Sequence, residues 1–177
     1  AVGVEGVRRM LDLGGGSGAY TIAFAQASPE LEADILDLAP VLRIARRHIE
    51  EAGLSDRIRT RPGDLHQRSY GAGYDLVFIS AICHMLDPKQ NRGMLRKSYR
   101  ALKPGGRVVI QDFILEADKT APRAAALFSL NMLVGTRAGA SYSEPEYRSW
   151  LQDTGFGGIS RLHLPGPTSL MIGRRPA

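Results

Sequence analysis

Short apolar runs alternate with stretches whose apolar positions recur every three to four residues, as strands and amphipathic helices do in succession. The first strand is predicted at Arg9 to Leu13. It runs into Gly14-Gly15-Gly16-Ser17-Gly18 and a helix over about Tyr20 to Ala27, which stops at Ser28-Pro29 because a proline bars its predecessor from helical geometry. Ala33 to Pro40 reads as the second strand, with Asp37 at its carboxyl end, and Val41 to Ala52 as a helix ended by Gly53. A third strand, Arg57 to Arg61, leads into Pro62-Gly63-Asp64-Leu65, and a fourth covers Asp75 to Ser80. Asp87 caps a helix through about Leu102, with Pro88 at its first position. Lys103-Pro104-Gly105-Gly106 ends that helix and starts the fifth strand, Arg107 to Phe113.

Beyond it lie a helical segment over about Ala121 to Val134 and a capping box, Ser143-x-x-Glu146, opening a helix to about Asp153. Two closing runs, Gly158 to Leu164 and Ser169 to Gly173, flank Pro165-Gly166-Pro167; so short a link joins only antiparallel strands. Five strands alternating with helices predict an α/β fold: a doubly wound, mostly parallel, seven-stranded sheet with a C-terminal antiparallel hairpin at its edge.

The glycine-rich turn carries the first chemistry. Glycines permit positive φ and bring backbone N–H groups close to a ligand at the start of a helix. Two fingerprints fit it. Gly14, Gly16 and Ala19 match the dinucleotide pattern G-x-G-x-x-G/A, with Asp37 about where a ribose-binding acid belongs. Asp12 to Gly18 match D-x-G-x-G-x-G, the first motif of class I S-adenosylmethionine-dependent methyltransferases. Asp12 ends a buried strand, which is costly for a carboxylate without a partner, so it braces the loop or reaches the ligand. Asp37 is either the ribose acceptor or an N-cap. Asp64 alone is a turn aspartate after Pro-Gly. With Asp12 and Asp37 it makes three acids at the tips of successive strands, and an adenine amine beside Leu65 would use the third. His48, beside Arg47 and one turn before Glu51, is expected on a wet helix face; His66 reads as a loop residue and His163 as a strand residue.

Composition narrows the picture. The 177 residues are enough for a real core and are expected to form one domain, 1–177. No apolar run approaches the roughly 20 residues of a membrane span, and no signal peptide is visible. Cys83 is the only cysteine, which excludes an internal disulfide, offers no metal cluster and fits a reducing cytoplasm. The net charge of +5 is spread among acids without an aromatic-interleaved basic stripe, so solvated helix faces explain it and no nucleic-acid partner is expected.

Leu11-Asp12-Leu13-Gly14-Gly15-Gly16-Ser17-Gly18, Asp37-Leu38-Ala39-Pro40, Gly63-Asp64-Leu65, Cys83-His84, Lys103-Pro104-Gly105-Gly106 and Asn131-Met132-Leu133 together resemble the plant-type and bacterial small-molecule O-methyltransferases. The resemblance runs through nearly the whole chain. It implies S-adenosyl-L-methionine as cofactor, with S-adenosyl-L-homocysteine as product, and a small, aromatic hydroxyl compound as acceptor. The loop Gly14, Gly15, Gly16 and Gly18 would hold the methionine part, Asp37 with Leu38 the ribose, and Asp64 with Leu65 the adenine. Ser80 falls near the cofactor carboxylate. His84 matches the general base, and Asp112 stands where relatives place a glutamate that orients it. The family commonly reads His-Asp-Trp-x-Asp, whereas this chain reads His84-Met85-Leu86-Asp87, and a second flanking glutamate is replaced by Ser141. The N-terminal helical domain through which relatives dimerise is expected to be absent from this chain, so a homodimer would depend on a longer protein. Nicotinamide-dependent oxidation, or methyl transfer to carbon, nitrogen or sulfur, remains an alternative to O-methylation.

Overall fold

The structure is a computed structural model describing residues 2–67 and 69–177; Ala1, where the expected domain begins, and Arg68 lie outside the described residues. The elements are β1 (Arg9–Leu13), α1 (Ala19–Ala27), β2 (Glu32–Asp37), α2 (Ala39–Glu51), β3 (Ile58–Pro62), β4 (Tyr74–Ser80), α3 (Pro88–Ala101), β5 (Leu102–Asp112), α4 (Arg123–Gly135), α5 (Glu144–Asp153), β6 (Gly157–His163) and β7 (Ser169–Arg174), with one 3₁₀ turn at Cys83–Met85.

All seven strands form one sheet in the order β3-β2-β1-β4-β5-β7-β6, the first five mutually parallel and β7 antiparallel to both its neighbours. The doubly wound reading holds. Three details differ from expectation. No helix joins β3 to β4 among the described residues, because Pro62-Gly63 breaks the strand into turns rather than a helical start. Strand β5 begins at Leu102, since Leu102 already pairs with Tyr74; the Lys103-to-Gly106 segment bulges out before Arg107 resumes the register opposite Leu76. Finally, the C-terminal hairpin lies at the sheet edge as expected, but it joins through its second strand, β7, which sits between β5 and the outermost β6. The β7 run Leu170-Met171 is buried on both faces, as a central strand requires, while β6 is largely exposed.

Side chains alternate across the sheet and build a core on each face. Met10, Leu76, Phe78 and Val109 meet Ala25, Leu42, Ala45 and Ile49 of α1 and α2. Leu11, Leu13, Val77, Ile79, Val108 and Ile110 meet Met94, Leu95, Tyr147, Trp150 and Leu151 of α3 and α5. Each such burial stabilises by roughly 1.5–3 kcal/mol. Helix α3 starts on the predicted Asp87 cap, which the structure extends to a full capping box: Asp87 Oδ1 accepts from Gln90 N–H at 2.7 Å while Gln90 Oε1 accepts from Asp87 N–H at 2.9 Å. The chain crosses from β3 to β4 past β1, so the winding reverses between β1 and β4. A crevice opens at such a reversal, outside the carboxyl ends of the strands.

Candidate active site

The loop after β1 lines that crevice. Gly14 takes φ +68°, and a Cβ on it would sit 2.4 Å from Ile82 Cδ1, so the loop and the segment after β4 touch through a missing side chain. A Cβ on Gly15 would lie 2.7 Å from the Asp12 carboxylate and 2.9 Å from Ile35. On Gly16, at φ +57°, it would meet nothing within 4 Å. The loop's donors are largely satisfied by the protein: Gly14 N–H donates to Leu36 O (2.8 Å), Gly16 N–H to Asp37 Oδ2 (2.9 Å) and Gly18 N–H to Gly15 O (2.9 Å).

Asp12 is buried behind this loop rather than in the crevice. Its Oδ2 accepts from Thr21 Oγ1 at 2.6 Å, and its Oδ1 is buried with no partner among the described residues. Burial pushes its pKa up to about 7, the Thr21 hydrogen bond opposes the rise and the Asp37 charge adds to it. His48 also differs from expectation. It is half-buried, and its Nδ1 lies 3.2 Å from Ser17 O, so α2 is fastened to the glycine loop where a solvated face was predicted. Its place three residues after buried Ala45 and next to buried Ile49 was the available signal.

A cavity of about 230 Å³ joins the tips of β1, β2 and β3, lined by Gly14, Asp37, Leu38, Gly63, Asp64, Leu65, His66, Ile82, Met85 and Leu86. Asp37 and Asp64 therefore share one space with Leu38 and Leu65. Leu38, not Asp37, is the N-cap residue of α2, and both Asp37 oxygens accept backbone N–H groups, from Leu38 and Gly16. Sequence reasoning did not single out Ile82, Met85, Leu86 or His66 as walls of this cavity. They follow strand ends, where the parallel topology gathers side chains that the sequence leaves far apart. Ser80 is not among the lining residues; its Oγ points to Gln111 Oε1 at 3.4 Å.

His84 lies in the 3₁₀ turn immediately before Met85. Its Nδ1 is 2.7 Å from Asp112 Oδ1, and its backbone N–H donates to Asp112 Oδ2 at 3.2 Å. Asp112, at the end of β5 and fully buried, also accepts from Phe113 N–H at 2.8 Å. A carboxylate against Nδ1 fixes the proton there and leaves the lone pair on Nε2, which makes no hydrogen bond to a described residue. The turn itself is pinned from outside. Asn91 Nδ2 donates to Cys83 O and Leu86 O (3.0 and 3.2 Å), and Tyr142 Oη donates to Leu86 O at 2.6 Å. The His84 ring meets Phe128 edge-to-face at 4.9 Å, and Phe128 stacks on Phe113 at 3.9 Å. Ser141 lies buried nearby in sequence, its backbone N–H on Ser129 Oγ and its own hydroxyl without a partner among the described residues.

Sheet order, glycine loop and crevice define the class I methyltransferase fold. The chain belongs to the O-methyltransferase domain family, whose model matches residues 1–157. It is 38% identical to 3-hydroxy-5-methyl-1-naphthoate 3-O-methyltransferase of Streptomyces sahachiroi over 98% of this chain and 50% of that protein. Identity is also 38% with L-tyrosine C(3)-methyltransferase of Streptomyces lavendulae, over 93% of this chain and 46% of the other. Among solved structures, PigF with SAH superposes with a TM-score of 0.89 at 32% identity, over 98% of this chain and 52% of PigF. The chain thus spans about half the length of the curated relatives it matches. No helix among the described residues is long and apolar enough to cross a membrane.

Proposed function

We propose that residues 1–177 form a catalytic domain that uses S-adenosyl-L-methionine to methylate a hydroxyl of a small aromatic molecule, with His84 as general base. The observation that carries this is one cavity holding two carboxylates and five apolar side chains, next to a histidine oriented by a buried aspartate. The lining residues fit the cofactor: Leu38, Leu65, Ile82, Met85 and Leu86 suit a flat ring, and Asp37 and Asp64 suit ribose hydroxyls and an exocyclic amine. They fit a dinucleotide poorly. The Gly16 N–H that would face a pyrophosphate is taken by Asp37, and none of the ten lining residues is a lysine or arginine.

When bound, S-adenosyl-L-methionine supplies a methyl group activated on a sulfonium and departs as S-adenosyl-L-homocysteine. The chain's own work is positioning and proton removal. Asp37 and Asp64 hold the two ends of the nucleoside, while Asp12 and His48 brace the loop from behind. Asp112 keeps the His84 proton on Nδ1, so that Nε2 removes the acceptor hydroxyl proton, a step worth about 10²–10⁴-fold. Phe113 and Phe128 offer aromatic surface against the His84 ring. We assign Ser80, at the end of β4, to the neighbourhood of the cofactor carboxylate, beyond the residues that line the nucleoside cavity.

Turnover of His84→Ala on the true acceptor tests the base; a rate equal to the wild type removes His84 from the mechanism. A second reading, methylation of a ring carbon, is favoured by the similarity to a tyrosine C-methyltransferase. The same proton removal makes the carbon beside a phenolate nucleophilic, and the product's NMR spectrum separates an O-methyl from a C-methyl group. A homodimer, conditional on an N-terminal domain in a longer protein, belongs to this proposal too; the exposed row Leu127, Leu130, Leu133 and Val134 on α4 supplies an apolar face for such a domain. A reducing cytoplasm is the compartment it implies, with neither nucleic acid nor membrane as partner.

A further inference from the structure

Lys97, on α3, has no role in the site as described so far, yet it reaches the segment that forms one wall of the cavity. Its Nζ donates to Leu65 O and, at 3.1 Å, to Gln67 O, and lies 4.7 Å from the centre of the Tyr70 ring. Tyr70 Oη donates to the same Leu65 carbonyl at 2.6 Å, and the Tyr70 ring is buried. One carbonyl thus receives two donors, the cationic one from α3 and the other from Tyr70 in the same link between β3 and β4. Within the segment, Asp64 Oδ1 accepts from His66 N–H at 2.8 Å, so the acid, the apolar ring contact Leu65 and His66 are tied into one turn. Burial pulls the Lys97 pKa down from the usual lysine value, while the Asp64 charge opposes that fall, placing the ammonium within the carboxylate's field.

We propose that Lys97 is a positioning residue for nucleobase recognition: with Tyr70 it clamps the Leu65 carbonyl and presets the Asp64-to-His66 turn to receive the base. This deepens the cofactor reading and rests on it. The turn lacks a helix or strand of its own, and an irregular segment contributes little affinity if it must be ordered on binding. A cationic donor shared between two of its carbonyls supplies the order beforehand, because charge-assisted hydrogen bonds are the stronger kind.

Calorimetry with S-adenosyl-L-homocysteine and its inosine analogue, in which a carbonyl replaces the exocyclic amine, tests the assignment on wild type, Lys97→Met and Tyr70→Phe. Wild type is expected to prefer the adenosine form. Lys97→Met should bind it about tenfold more weakly, equivalent to 1.4 kcal/mol, and lose most of that preference; Tyr70→Phe should shift both in the same direction by less. Amide exchange of residues 64–67 in the ligand-free proteins is expected to quicken in Lys97→Met alone among matched surface lysine variants. Equal affinity, preference and exchange in wild type and Lys97→Met overturn the clamp. Failure of the wild type to bind either compound overturns the cofactor reading instead, and the exchange comparison then still decides whether Lys97 orders the turn.

Discussion

Asp12→Asn isolates the cost of the carboxylate sealed behind the glycine loop. Asp12 has an ordinary carboxyl value of 3.8 when solvated and about 7 when folded, raised chiefly by burial. The unfolded chain releases this proton near pH 4, while the folded protein keeps it until about pH 7. Between those limits the folded state binds the extra proton, so stability falls as pH rises, by about 1.4 kcal/mol per pH unit. Across the whole window the loss is about 4 kcal/mol, and from pH 5 to pH 7 it is about 3 kcal/mol. Asparagine cannot ionise, and its amide donor faces the same unpartnered space as Oδ1, a penalty of roughly 1–3 kcal/mol that does not vary with pH. The quantity to follow is therefore the difference between the two proteins. Urea unfolding from pH 5 to pH 8 should show wild type losing about 3 kcal/mol relative to Asp12→Asn, with the change complete near pH 7. A difference that stays flat over this range would refute a neutral Asp12 in the folded state.

Three other outcomes follow from the geometry. Asp112→Asn, which no longer holds the Nδ1 proton as a carboxylate does, should lower turnover by about 10²–10⁴-fold while calorimetric affinity for S-adenosyl-L-homocysteine changes little. Gly139→Ala would put a Cβ 2.2 Å from His84 O and 2.5 Å from Thr136 Oγ1, so chemical denaturation should show a loss of about 1–3 kcal/mol and the His84 ring should shift in the NMR spectrum. Arg47→Ala removes an exposed ion pair to Glu51 at 3.7 Å, and its unfolding free energy should stay within about 0.5 kcal/mol of wild type.

Local chemistry made most of the fold legible. Glycine turns, the Asp87 and Ser143 capping boxes and the apolar runs act over a few residues, and the elements they mark lie within a few positions of those predicted. The insertion of β7 between β5 and β6 was not legible, because an isolated hairpin pattern is the same whichever strand faces the older sheet. The missing helix after β3 was hidden for a related reason: alternation is a habit of the fold, and a link without a helix among its described residues leaves the sheet order intact. At the site, the acids at 37 and 64 were visible from strand ends alone, and the structure brings them into one cavity. Asp12, by contrast, shares the β1 face with Met10, turned towards α1, where Thr21 meets it; strand parity carried that signal. Met85 and Leu86 were noticed only as departures from a family motif, although their apolar character is what a wall of this cavity needs.

Helix α3 carries Asn91 and Lys97, six residues or about 9 Å of helical rise apart. The first fastens the turn that bears His84, and the second reaches the carbonyls of the turn that bears Asp64. Under the proposed function the helix is a rigid calliper whose two jaws would grip the reacting end and the recognition end of one ligand. Sliding it as a body moves both jaws together and preserves their spacing. Lengthening it by a single residue between them would swing one jaw by about 100° and part the His84 turn from the Asp64 turn.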